Sequence, residues 1–253
     1  YPELWDNIKD FYKKRYKDKV RHGLCISGIK SEFCRAVKYN DNYTINFLKE
    51  KINTSLGMEL SCRYNNNDLI DFYMKTATKN DLTKGLYGAI KGGHEDLVYF
   101  LIENGADDSD YCCVNYAVYS GNNNLFEFFL KKHNNAINWC STTCWAARGN
   151  NMDFVNRAIK NGKFGWNSIA LGAVRNNNVE LFKLCLNNGL KYSGTQLNIS
   201  IRHNYMEIFN LIIETFKDRN VLHDVIIFAA KAGNEKIITS YIDSCPSFNF
   251  NHG

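Results

Sequence analysis

Thiols and imidazoles are the first side chains in this sequence that could do bond or metal chemistry. The 253-residue chain carries nine cysteines and six histidines. His133, Cys140 and Cys144 fall close together, with Cys112 and Cys113 upstream. Zinc takes four thiolate or imidazole ligands in a tetrahedron, and the Cys140-x-x-x-Cys144 spacing sets two such ligands on one helical face. The same residues suit a helix interface, because a thiol is small and commonly buried. Packing is the expectation, and no metal site is assigned. The cysteines form no Cys-x-x-Cys pair, are irregularly spaced and are odd in number. That pattern fits reduced thiols in the cytoplasm better than a secreted disulfide framework. No Gly-x-x-x-x-Gly-Lys loop, Gly-x-Ser-x-Gly elbow, His-Glu-x-x-His pair or Gly-x-Gly-x-x-Gly turn occurs. Each of these would supply an anion cradle, a nucleophile or a metal site. No catalytic residue and no cofactor is assigned, and the chain is read as a non-enzyme. A Cys/His dyad drawn from distant segments stays open, with one low-pKa cysteine as its signature.

Cations form the second candidate set. Lys38, Arg63, Lys91, Tyr119, Arg148, Arg175, Arg202 and Lys231 recur at nearly even intervals, and seven of the eight are cationic. Such a series is either a positive track for an acidic protein surface, a phosphopeptide or nucleic acid, or a set of charges each answering a helix end. The two uses are compatible. The net charge is +5 and the pI is about 8.6, short of the ~9 that marks a dedicated nucleic-acid binder. Nucleic acid is therefore disfavoured as a partner. Lys13 to Arg21 holds six basic residues and one acidic. It reads as a localisation signal or nucleic-acid patch, or as a solvated helix end. Trp139, Trp145 and Trp166 crowd two neighbouring stretches, as exposed anchors for a partner or as packing. The candidate partner-binding residues are Lys91, Tyr119, Trp145, Arg148, Arg175, Arg202 and Lys231.

Those cations share a period, and the period reveals the elements that hold them. Two residues before each lies a small side chain: Ala36, Ser61, Ala89, Ala117, Ala146, Ala173, Ser200 and Ala229. The intervals between these anchors average about 28 residues, the spacing of a repeat array. Four residues after each anchor stands Asn40, Asn65, Gly93, Gly121, Asn150, Asn177, Asn204 or Gly233. Only Gly and Asn readily take the left-handed conformation that ends a helix. The seventh position is acidic in five copies: Asp68, Asp96, Asp153, Glu180 and Glu207. Acidic residues suit a helix start. Apolar residues follow at positions 8, 9, 11 and 12, for example Leu97, Val98, Phe100 and Leu101. They are read as one buried stripe. Each unit is thus helix, tight turn, second helix, with the small anchor where a neighbouring helix comes close. Asn-Gly pairs at 104–105, 161–162 and 188–189 read as turns closing the second helices. The abundance of Asn is read as a trace of the coding genome.

The segment AIKGGHEDLVYFLIENGAD, from Ala89 to Asp107, resembles the second part of an ankyrin repeat. The other seven copies keep the anchor, the turn residue and most of the apolar stripe. The Thr-Pro-Leu-His signature is absent, and Lys84-Gly85-Leu86-Tyr87 stands in its place. The period falls short of the usual ~33, so the hairpin loops between units are expected to be trimmed. The Asn-rich, proline-poor style further resembles the multigene-family ankyrin-like proteins of African swine fever virus. That resemblance implies a viral protein in the host-cell cytoplasm, tied to host range and to damping of innate immune signalling.

Together these readings predict an all-α solenoid of about eight short ankyrin-like helix-turn-helix repeats. Residues 1–24 form an N-terminal helical cap and 25–253 a single continuous repeat domain. No run of about 18 apolar residues occurs to cross a membrane, and no secretory leader is read at Tyr1. The expected function is a protein–protein interaction module for a host regulatory protein, as a monomer or weak homo-oligomer. Nucleic-acid binding and a self-assembling structural role are the alternatives.

Overall fold

The structure is a computed structural model that describes residues 26–216, 219–234 and 237. The cap expected over residues 1–24, with its basic run, lies outside these residues. Among the described residues there are 15 α-helices and no strand, and no helix is long and apolar enough to cross a membrane. Contacts group the chain into two compact units, 1–108 and 109–253. The sequence reading of one domain over 25–253 carries no such division.

The first unit contains α1 (Ile26–Lys38), α2 (Asn42–Leu48), a short 3-10 turn (Lys49–Lys51), α3 (Thr54–Arg63), α4 (Asn67–Met74), α5 (Lys79–Gly92) and α6 (Glu95–Glu103). The second contains α7 (Cys112–Ser120), α8 (Asn123–Lys132), α9 (Trp139–Arg148), α10 (Met152–Lys160), α11 (Trp166–Arg175), α12 (Val179–Asn187), α13 (Gly194–His203), α14 (Met206–Thr215) and α15 (Arg219–Ala232). In each unit the helices pair as antiparallel hairpins. The first helices pack side by side, α1 on α3 on α5 in one unit and α7 on α9 on α11 on α13 on α15 in the other.

The eight small anchors explain that packing. Each is fully buried, at 0% exposure. Glycines beside them bring backbones into contact. A Cβ on Gly88 would collide with the Glu59 carbonyl, one on Gly149 with the Tyr119 carbonyl, and one on Gly172 with the Cys144 carbonyl. First helices thus approach closely because nothing larger stands between them.

Every turn residue expected in the left-handed region is there. Asn40, Asn65, Gly93, Gly121, Asn150, Asn177, Asn204 and Gly233 have φ between 50° and 76°. The next residue then caps the second helix. Asp41, Asn66, Asn122, Asn151 and Asn178 each accept a bond from the backbone N–H three residues on. This satisfies a donor that the helix start would leave orphaned. The cap amides also reach the preceding repeat. Asn178 Nδ2 donates to Asn150 Oδ1 at 2.8 Å, Asn151 Nδ2 to the Val118 carbonyl at 2.9 Å and Asn66 Nδ2 to Asn40 Oδ1 at 3.4 Å. In the Gly-His turn, His94 Nε2 lies 3.1 Å from the Arg63 carbonyl, which it meets as the Nε2–H tautomer. The Asn richness therefore has a structural use that the compositional reading overlooked. Asn178→Ala loses both the cap and the rung, and is expected to cost about 1–2 kcal/mol, measured as a lower urea midpoint.

The apolar stripe is narrower than the sequence reading has it. Positions 8, 9 and 12 are buried almost throughout, for example Leu125, Phe126 and Phe129, or Leu181, Phe182 and Cys185. Position 11 is not: Phe47, Phe100 and Leu184 are exposed, Phe72 and Phe128 are half-buried, and one copy is Arg157. Helix geometry gives the reason. At ~100° per residue, positions 8, 12 and 9 span one arc centred on 12, and position 11 points about 100° away. The Asn-Gly pairs close the second helices as expected, with Gly105, Gly162 and Gly189 at positive φ.

One buried carboxylate ties two first helices together. Thr78 and Asp81 form a capping box at the start of α5, and Ser55 of α3 donates to Asp81 Oδ1. Burial pushes the Asp81 pKa up, but the bonds from Ser55 and Thr78 outweigh it and hold the pKa below its ordinary value. The stabilisation is therefore present above the unfolded carboxyl pKa of ~3.9 and is lost as pH falls through the lower folded value. Asp81→Asn is expected to cost about 1–2 kcal/mol at pH 7. Urea unfolding should show that deficit shrinking as the medium is acidified below the unfolded value.

Candidate interaction surface

Each cation of the periodic series stands in the last turn of a first helix: Lys38, Arg63, Lys91, Arg148, Arg175, Arg202 and Lys231. The left-handed turn two residues later fixes where that helix stops, so the repeat places the charge. There it offsets the partial negative charge of the helix end. What differs between copies is what each side chain touches.

In the first unit the series is largely occupied. Lys91 Nζ lies 2.6 Å from Glu59 Oε1, with its side chain 14% exposed. Arg63 lies against the Tyr64 ring, 5.7 Å from its centroid. Lys38 is exposed and 5.3 Å from the centroid of Tyr39. Of the candidate binding residues, Lys91 is thus drawn into an ion pair within its own unit.

In the second unit an aromatic cluster sits beside the cations. Trp145 is half-buried and meets Tyr116 edge to face at 5.1 Å and Tyr119 at 6.0 Å. The Arg148 guanidinium lies 4.7 Å from the Trp145 centroid, within cation–π range. The structure thus brings Tyr119, Trp145 and Arg148 together. Arg175 follows on the next first helix, and both arginines act electrostatically on the Cys144 thiol between them. Arg175, Arg202 and Lys231 are exposed, and none of the three makes an ion pair among the described residues. Beside Arg202, the exposed His203 ring stacks on Tyr205 at 5.4 Å and 18°. The other two tryptophans pack locally. Trp139 stacks on Phe154 at 5.8 Å, and Trp166 meets Phe164 edge-on at 4.9 Å.

The thiols and His133 take other roles. Burial pushes the Cys62 and Cys185 thiols up to about 12. Burial, with the Glu59 charge, also raises Cys34. Burial raises Cys144 despite Arg175 and Arg148. The nucleophile is the thiolate, so these four thiols are held protonated at neutral pH. His133 packs edge-on against Tyr111 at 5.3 Å. Among the described residues no group of three or more His, Cys, Asp or Glu is placed to hold a metal.

The caps that follow six of the eight turns, three of which carry the inter-repeat bonds, went unread in the sequence. Their signal is an Asp or Asn right after the left-handed residue: Asp41, Asn66, Asn122, Asn151, Asn178 and Asn234. Compared with known proteins, the chain matches no family model. A comparison with characterised proteins also returns no match.

Proposed function

We propose that the helix hairpins are the repeats of one diverged ankyrin-like solenoid, and that the chain is a non-enzymatic module for binding another protein. The observation that carries this reading is the row of exposed cations at the ends of α11, α13 and α15, which make no ion pair among the described residues, beside the Trp145–Arg148 cluster. A cation at a helix end answers the local dipole, an effect of about 0.3–1 kcal/mol. One repeated on successive packed helices also builds a common charged edge. Partner selection then comes from the aromatic cluster, since Trp, Tyr and Arg dominate binding hot spots. The charges steer the encounter and set its register. The mechanism is occlusion or recruitment. The resemblance to the swine-fever multigene-family proteins supports a host regulatory protein in the cytoplasm as the partner, with damped innate signalling or altered host range as the result.

The test is a capture from host-cell cytosol with two baits. One is the native chain, and the other carries Arg148→Glu, Arg175→Glu and Arg202→Glu, with folding checked by circular dichroism. A specific protein held by the first and lost from the folded second is the expected result. Equal capture by both baits would move the interface elsewhere. Nucleic acid recovered in place of protein would replace this reading with the nucleic-acid one.

A further inference from the structure

We infer that the cationic edge of α9, α11 and α13 is a docking track for an extended acidic peptide segment with a carboxylate at every third residue. The inference rests on the interaction-module reading and adds the chemistry and register of the partner. The first argument is charge. Each helix C-terminus contributes about half a negative charge, which would repel an acidic ligand. Arg148, Arg175 and Arg202 each place a full positive charge on that end, so the sum at each helix favours an anion. Arg175 and Arg202 are exposed, with no carboxylate of their own among the described residues. Arginine further suits carboxylates because its planar fork binds them at two points.

The second argument is spacing. α9 packs on α11 and α11 on α13. The first of these contacts is tight, because Gly172 brings the α11 backbone against the Cys144 carbonyl. Packed helices lie ~8–10 Å apart, so equivalent arginines recur at about that distance. A polyproline-II chain advances ~3.1 Å per residue with three residues per turn, which puts every third residue on one face and about 9 Å apart. Carboxylates at i, i+3 and i+6 therefore match three successive arginines. A carboxylate at every second residue falls short of the spacing. A clustered run pairs with one arginine and leaves the others unmet. The Trp145 ring, held edge-on by Tyr116 and Tyr119, supplies an apolar surface at one end of the track for a side chain flanking the first carboxylate.

Fluorescence anisotropy tests this with three labelled probes on the full chain. The first is a 15-residue peptide with Glu at every third position, the second has the same composition with its Glu clustered, and the third is an oligouridine of equal charge. The spaced peptide should bind at least about fivefold tighter than the clustered one. The folded Arg175→Glu, Arg202→Glu chain should lose at least about tenfold of that affinity. If that variant fails to fold, Arg175→Gln, Arg202→Gln takes its place, with the same loss expected in direction. Equal affinity for the two peptides, unchanged binding by the variant, or binding of the oligouridine alone would each overturn the inference. A chain that captures a protein from cytosol yet ignores both peptides would overturn this inference while leaving the module reading intact.

Discussion

Gly172→Val is expected to be among the most damaging single changes in the 109–253 unit, costing about 3 kcal/mol or more. Even a methyl group at Gly172 would collide with the Cys144 carbonyl, the Ala147 Cβ and the Arg148 backbone nitrogen. Two of these are backbone atoms, so no rotamer change relieves the clash. The helices must separate, and the contacts of the fully buried Ala146 and Ala173 go with them. Overpacking a core costs ~1–3 kcal/mol where side chains can yield, and more where they cannot. With a urea dependence of ~1–3 kcal/mol per molar, the midpoint should fall by about 1 M or more. Gly162→Ala is the control. Gly162 has φ +63° and open space around it, so it carries only the left-handed strain of ~1–2 kcal/mol. Near-equal effects at both glycines would mean that close helix approach is not what Gly172 provides.

Phe182→Ala should cost about 3–5 kcal/mol, the range for emptying a buried aromatic site. Phe182 occupies position 9 on α12 and is fully buried. Two residues along the same helix, Leu184 occupies position 11 and is 40% exposed. Leu184→Ala should cost about 1 kcal/mol or less, since little of its surface leaves water on folding. Chemical denaturation of the two variants compares the faces of one helix. A large loss at Leu184 would return position 11 to the core and contradict the narrower stripe.

That stripe shows what the sequence discloses and what it conceals. The turns were legible because Gly and Asn at one repeating position have a single physical cause, the left-handed φ that the structure shows at all eight. The anchors were legible because only small residues permit close helices. Position 11 misled because apolar residues there satisfy helical spacing without facing the core, and periodicity alone does not fix where the buried arc is centred. The cap residues were hidden in plain composition. Asn151 and Asn178 stand beside other asparagines, and only the geometry separates the one that turns from the one that caps. Within the candidate surface, the cations were legible as a column, but their partners were not. Lys91 pairs with Glu59 from a repeat away, and Arg148 stacks on a ring three residues back. Such choices depend on which side chains meet in space, and a one-dimensional pattern holds no record of them.

The most direct test of the account asks which face binds. A captured partner should be challenged with two folded double variants. One is Arg175→Glu with Arg202→Glu, at the ends of the first helices. The other is Arg157→Glu with Leu184→Asp, exposed on second helices of the same unit. The account predicts that the first variant loses the partner and the second retains it. Retention by the first with loss from the second would place the interface on the opposite helices and contradict the central claim.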